Sequence, residues 1–159
     1  TGVMVQFGLS QQDDKACFHG VCTALLFIGL VEELNAQRRQ QGLATLEFKL
    51  ALHTGVVLVD TSVNDSPKAA TMGDTVQIAS HICKLAQANQ LLLSHDALDQ
   101  GGLSEQIIIS PFKSILASQS TEVLETFLVD NLTSTYQALI ERQVQHVKSQ
   151  WNETATDRK

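Results

Sequence analysis

Five histidines (His19, His53, His81, His95 and His146), three cysteines and an adjacent pair of aspartates have the functional groups for proton transfer, nucleophilic attack or metal ligation. Their spacing withholds most of that chemistry. Zinc-type sites need His and Cys at short, fixed separations, and no HxxxH, HExxH or CxxC arrangement occurs. Cys17 and Cys22 fall on different faces of one helical segment, which keeps two thiols apart that a redox pair would hold together. Asp13 and Asp14 precede that segment and read as charges that complement a helix dipole. Gly101-Gly102 reads as a turn, because no Gly-Lys-Ser/Thr follows to cradle a phosphate. His81 could serve as a base or a ligand. With no carboxylate or Cys at ligand spacing, it reads instead as a half-buried residue on an amphipathic helix.

The elements that would position these residues follow from apolar periodicity. Residues 2–7 (Gly-Val-Met-Val-Gln-Phe) read as a short strand ending at Gly8. A long helix follows Asp13-Asp14, with Val21, Leu25, Ile28, Val31 and Leu34 at helical spacing and Arg38, Arg39 and Gly42 at its exit. Residues 46–52 alternate as a strand with one covered face, pause at His53-Thr54-Gly55, and resume from Val56 to Val59. Asn64-Asp65-Ser66-Pro67 is a turn. Gly73-Asp74 precedes a second helix, predicted from Thr75 to Ala88, and Leu91-Leu92-Leu93 is a buried strand. Beyond Ser94 the signal is weaker: strands at Ile107–Ile109 and Glu122–Val129, then a helix from Ser134 to Trp151. The stripe Ile140, Val144, Val147 and Trp151 on that last helix suits packing on its own domain or on a second chain, with Trp151 favouring the second. Helices and strands alternate, which predicts an α/β or α+β sandwich with helices laid on a sheet.

Composition bounds the function class. A chain of 159 residues is one domain's worth, and 43% hydrophobic with 18% charged residues is ordinary for a globular protein. A net charge of -6 and the absence of any basic run argue against nucleic acid and anionic membrane surfaces as partners. The apolar run from Ala16 to Leu34 is broken by His19 and closes on Glu32-Glu33, short of the ~20 apolar residues that a bilayer span requires. An odd number of cysteines without a paired motif fits reduced, buried thiols in a cytoplasmic protein, in which the sequons at Asn131 and Asn152 carry no meaning. No signal peptide is evident. The chain opens directly on a strand pattern, so it reads as part of something longer, with a membrane anchor upstream left open.

Three runs together resemble a known family. Leu50-Ala51-Leu52-His53-Thr54-Gly55-Val56-Val57, Gly73-Asp74-Thr75-Val76-Gln77-Ile78-Ala79-Ser80-His81 and Leu91-Leu92-Leu93-Ser94 match, in order and spacing, the central motifs of class III adenylyl and guanylyl cyclases. Residues 2–8 resemble the second half of that family's Gly-Asp-Gly hairpin, and Asn35 stands where the family often has an Asn. The likeness covers residues 1–95 well and 96–130 loosely. It implies a ferredoxin-like βαββαβ core of the nucleotide cyclase type, with a cyclase homology domain at 1–132 that lacks its expected first strand. A C-terminal helix and polar tail then occupy 133–159. His53 would stabilise its turn.

In such enzymes the ribose 3′-hydroxyl attacks the α-phosphate and expels pyrophosphate, assisted by two carboxylate-held metal ions and by an Asn and an Arg on one helix. The resemblance places Thr1 at a metal carboxylate position, Ala70 beside Thr71 at the base-selecting position, Gln77 at the Asn position and His81 at the Arg position. Gly73 and Asp74 would line the nucleotide, and the phosphate-binding Lys position falls near Thr121. A hydroxyl is a poor Mg²⁺ ligand. Ala70 offers the base no hydrogen bond. Gln77 is one methylene longer than Asn, a displacement of about an ångström that geometry-sensitive catalysis punishes. Imidazole lacks the guanidinium fork that clamps phosphate. The remaining carboxylate would lie on a strand this chain does not contain. An upstream truncation, omitted residues, or another segment filling the gap would each account for that.

The expectation is therefore a degenerate, catalytically inactive signalling domain. It would act as a homodimer, through other domains of a longer parent chain, or through a bound nucleotide, with no cofactor and with Mg²⁺ or Mn²⁺ only if active. A divergent active cyclase, turning ATP or GTP into a cyclic nucleotide, is the second reading. A small-ligand sensor or dimerisation unit that binds no nucleotide is the third.

Overall fold

A computed structural model describes residues 2–9, 13–59, 71–116 and 123–156. Thr1, Ala70, Thr121 and the turn at Asn64–Pro67 lie outside the described residues. The chain folds as the α+β sandwich its alternating pattern predicts. A four-stranded sheet runs in the order β1 (Lys49–Leu52), β4 (Gln90–Ser94), β6 (Val123–Leu132), β5 (Ile107–Leu116). β1 is parallel to β4, and the other two pairs are antiparallel. A separate two-stranded ribbon pairs β2 (Leu58–Val59) with β3 (Thr71–Met72).

β4 is the centre of the molecule because both of its faces are covered. Leu91 and Leu93 point to one side and Leu92 to the other, as a period of two requires, and none is more than 1% exposed. Leu91 and Leu93 meet Val21 of α1 (Ala16–Gln40), Ala97 of α3 (His95–Gln100) and Leu132, with Tyr136 and Ile140 of α4 (Ser134–Thr156) closing the cluster. Leu92 meets Ile82 and Ala86, at the end of α2 (Asp74–Leu85), together with Leu124. The sheet is thus sandwiched by α1, α3 and α4 on one face and by α2 on the other.

Glycines set the closest approaches. A Cβ on Gly20 would lie 2.7 Å from a methyl of Leu52, and one on Gly29 would lie 2.7 Å from a methyl of Val144. α1 therefore settles onto β1 and against α4 at two positions where it carries no side chain. α1 is long and apolar enough to cross a membrane by length and composition alone, yet here it supplies Val21 and Val31 to the interior. Its start is tied by Asp13, whose carboxylate accepts from the Lys15 amide at 2.9 Å and contacts His19 Nδ1 at 3.0 Å. Asn35 is buried inside α1's last turns and bonds both backbone groups of Leu46, donating to its carbonyl at 2.9 Å and accepting its amide at 2.7 Å. That pair aims the chain from α1 into β1.

Several expectations need correction. Residues 2–7 form no ladder among the described residues, and Val3 is 93% exposed. A strand needs a neighbour for its N–H and C=O groups, and β1 is an edge strand with β4 on one side only. The strand predicted over 46–52 is confined to Lys49–Leu52, because Leu46 is held by Asn35 and the Phe48 amide by the Asn89 side chain. α2 stops at Leu85, where Ala86 turns to ψ 145°. α3 has no counterpart among the elements expected from the sequence. The strands after it are longer than the sequence suggests, at ten residues each.

Their length rests on a repaired irregularity. Between Pro111 and Ser114 the β5–β6 register slips. The buried Thr126 hydroxyl fills the slip, donating to the Lys113 carbonyl at 2.7 Å and accepting its amide at 3.3 Å. Pro111 is tolerated because β5 is the outer strand. Finally, α4 packs back on its own domain: Val144 is buried against Gly29, Tyr136 stacks edge-on to Phe18 at 4.9 Å, and Lys148 pairs with Glu33. Trp151, at 38% exposure, lies at the exposed end of that stripe.

Candidate functional site

The three motif runs meet around the turn that follows β1. β1 ends at Leu52 and the chain turns through His53-Thr54-Gly55 before reaching β2. Thr75, in the first turn of α2, donates its hydroxyl to the Val56 carbonyl at 2.6 Å. A Cβ on Gly55 would stand 2.6 Å from that same Thr75 oxygen, so only glycine leaves room for the bond. Gly73 starts α2 at φ 135° and ψ 173°, a conformation that side-chain-bearing residues avoid. Two of the sequence's glycines are therefore consumed in bringing a turn and a helix start into contact.

The third run enters through His53. Its side chain is 4% exposed, and Nδ1 lies 2.8 Å from the Ser94 hydroxyl and 3.9 Å from an Asp96 oxygen. Ser94 is fully buried and also caps α3, accepting the Ala97 amide at 3.2 Å. Burial depresses the His53 pKa, and the nearby Asp96 carboxylate opposes that shift. His53 thus joins the end of β1 to the end of β4 and the start of α3, as a neutral bridge near pH 7. The arrangement is a clasp and not a catalytic dyad, because Ser94 is sealed from solvent and occupied as a helix cap.

Residues expected to touch a nucleotide fall on α2 beyond that junction. Asp74, Gln77 and His81 recur at helical spacing along one side of α2, with Asp74 and Gln77 exposed and His81 half-buried. The side chains of Gln77 and His81 have no hydrogen bond, ion pair or ring contact among the described residues. Thr71 lies in β3, whose backbone pairs with Val59, while Thr1 and Ala70 lie outside the described residues. The structure thus groups Gly73, Asp74, Gln77 and His81 and does not address the others.

A two-metal centre needs paired carboxylates with converging oxygens. No group of three or more His, Cys, Asp or Glu side chains converges among the described residues. The thiols offer no alternative: burial raises the pKa of Cys17 and Cys22, and Cys83 donates to the Lys49 carbonyl at 3.3 Å. Sequence reasoning overlooked Thr75 and Ser94 as anchors. The run Ser94-His95-Asp96 carries a signal for the second, a Ser cap followed by an acidic residue in the first turn.

Solved structures with the same arrangement of sheet and helices include cyclase domains. The guanylyl cyclase Cya2 superposes with a TM-score of 0.70 at 18% identity, over 82% of this chain and 66% of that one. The adenylyl cyclase CyaB from P. aeruginosa gives 0.65 at 18% identity, over 79% and 65%. The dimeric guanylyl cyclase domain of the RhoGC fusion protein from the aquatic fungus Blastocladiella emersonii gives 0.62 at 15% identity, over 80% and 63%. This chain spans just under two thirds of the length of each. No family model matches the sequence, and no curated protein does. At these identities the likeness establishes the fold, which is that of class III nucleotide cyclase catalytic domains.

Proposed function

We propose that this chain, folded as a class III cyclase catalytic domain, is a signalling or regulatory module that makes no cyclic nucleotide and acts by dimerising or by engaging a partner or a nucleotide. One contrast carries the reading. The positions that shape the fold (His53, Gly55, Gly73, Thr75 and Ser94) are locked into one another, while Gln77 and His81 differ from the catalytic Asn and Arg and stand without supporting contacts. Groups that stabilise a transition state must be held in place, since stabilisation falls away with small displacements. An unheld Gln and an unheld His meet that requirement neither in type nor in placement.

Dimerisation is supported by the RhoGC cyclase domain, itself a non-canonical dimer, and by the single-sided edge of β1. Three free cysteines, with the Cys17 and Cys22 pKa values raised by burial, support a cytoplasmic, reducing setting. A metal ion, Mg²⁺ or Mn²⁺, would be called for only if the chain were active.

The test is turnover. The chain, alone and joined to whatever precedes it in its parent protein, is incubated with ATP or GTP and Mg²⁺ or Mn²⁺, and cyclic product is followed by chromatography. The expected result is no product in either form, together with a dimer or a saturable nucleotide titration. Cyclic product that disappears in Gln77→Ala and His81→Ala would establish the divergent cyclase instead. A monomer blind to ATP, GTP and their cyclic products in calorimetry would leave a scaffold that binds no nucleotide.

A further inference from the structure

A groove runs between α1 and α4, on the opposite face of the sheet from α2. Ile28, Leu132 and Ile140 give it an apolar floor, and Glu32, Asp130 and Glu141 stand around it, each exposed. Among the described residues no Lys, Arg or His lines it. The cavity measures about 280 Å³, at the small end of the ~300–1,000 Å³ of small-molecule sites, and three carboxylates repel any phosphate. That charge argues against nucleotides and their cyclic products.

The remaining acidic and basic contacts between these helices do not neutralise the groove. Lys148 is committed to Glu33 further along. Within the groove Asp130 accepts from the Ser110 hydroxyl at 2.5 Å and Glu141 from the Gln137 amide at 2.9 Å, both neutral donors. Glu32 has no hydrogen bond or ion pair among the described residues. Among the described residues no cation pairs with these three carboxylates. The lining residues of α1 fall at 25, 28, 29 and 32 and those of α4 at 137, 140 and 141, two facing stripes at helical spacing. A long side chain could lie between them.

We infer that this groove is a docking site for a partner-protein segment that inserts one Arg or Lys flanked by aliphatic residues. The aliphatic stem of such a side chain suits the Ile28–Leu132–Ile140 floor while its charged head reaches the carboxylates at the edge. Apolar contact would supply affinity, and the charges would supply orientation and association rate. The volume suits one side chain, so the rest of the partner segment would lie along the two helices. This site is separate from the α2 face and does not depend on whether that face binds nucleotide.

The test uses a phage-displayed library of random 12-residue peptides selected on the intact chain. Enriched peptides are then titrated as fluorescein conjugates by anisotropy. The expected consensus is a Lys or Arg with aliphatic neighbours at three- or four-residue spacing. Affinity should fall at least tenfold on Glu32→Gln with Glu141→Gln, and again when salt rises from 50 to 500 mM. Both substituted positions are exposed, and matched thermal melts establish that the variant is folded. Ile140→Lys, which places a cation in the groove itself, should abolish binding of the same peptides. Peptides that bind the double variant as well as the original chain would overturn the proposal, as would selection that enriches acidic or purely apolar peptides. Complete displacement by spermine alone, with no contribution from the aliphatic neighbours, would overturn it too.

Discussion

Two sides of α2 obey different rules. At its first turn Thr75 is clamped between Gly55 and the Val56 carbonyl, Gly73 holds a conformation reserved for glycine, and His53 bridges to Ser94. On the other side of the helix, Gln77 and His81 stand with no partner among the described residues. Neighbouring positions on one helix are thus over-determined and undetermined in turn. Contacts constrain the first set whether or not any reaction takes place. Only a reaction would constrain the second, and those are the positions at which the sequence departs from the cyclase motifs it resembles. Fold and chemistry can vary independently when the two are carried by separate residues.

The largest way to break this contrast is Gly55→Val. Its branched side chain must occupy space that begins 2.6 Å from the Thr75 hydroxyl, so the turn and α2 must separate or strain. Overpacking of this kind costs about 1–3 kcal/mol, and the lost Thr75–Val56 bond adds to it. Urea denaturation should show the midpoint falling with little change in slope. A midpoint within error of the original would mean that the turn and helix start are not interlocked.

Ser94→Ala should come next. It removes the α3 cap and leaves His53 without its nearest partner, for a loss of about 0.5–2 kcal/mol from the cap alone. Ser94→Asp keeps an acceptor for the Ala97 amide and places a charge beside His53, so it should restore part of the cap while raising the His53 pKa. Two-dimensional NMR of the imidazole during a pH titration separates these effects. Equal losses for both variants would show that capping is not what Ser94 does.

The clasp also predicts a pH dependence. The folded-state pKa of His53 is depressed by burial, so below the unfolded value near 6.5 the unfolded chain binds more protons than the folded one. The stability this group confers is fully present above pH 6.5 and is lost as pH falls towards and through the folded pKa. Melting temperature should decline across that window, and His53→Gln should flatten the decline while lowering stability at pH 7.5. A decline of the same steepness in His53→Gln would transfer the effect to other groups.

Much of the junction is legible in the amino-acid sequence alone. His53-Thr54-Gly55, Gly73-Asp74 and Leu91–Ser94 are recognisable because their types are dictated by local geometry: a turn, a helix start, a buried strand. Residues 2–7 mislead, because period-two alternation marks what could be a strand, while a ladder depends on a neighbour elsewhere in the chain. α4 is ambiguous for the same reason. Its stripe is visible in sequence, but the surface it meets depends on Gly29, which is silent until α1 and α4 are brought together. Thr126 and Asn35 are illegible as anchors, since a polar residue that repairs a bulge or aims a connection has no periodic signature.

The smallest expected effect is the most informative about the undetermined side of α2. Gln77→Asn together with His81→Arg would return both side chains to the types found in the catalytic pattern. If these positions are free of structural duty, the double variant should melt within about 0.5 kcal/mol of the original, as surface substitutions do. It should also yield no cyclic product. Asn and Arg orient a ribose and a phosphate only when metal-held substrate is already in place, and the described residues offer no donor set for that metal. Residues that act as a unit do not return activity in part. Cyclic product from the double variant alone would show that loss of activity lies in these two side chains and not in the metal ligands. A large change in stability would instead mean that Gln77 and His81 belong with the locked side of the helix.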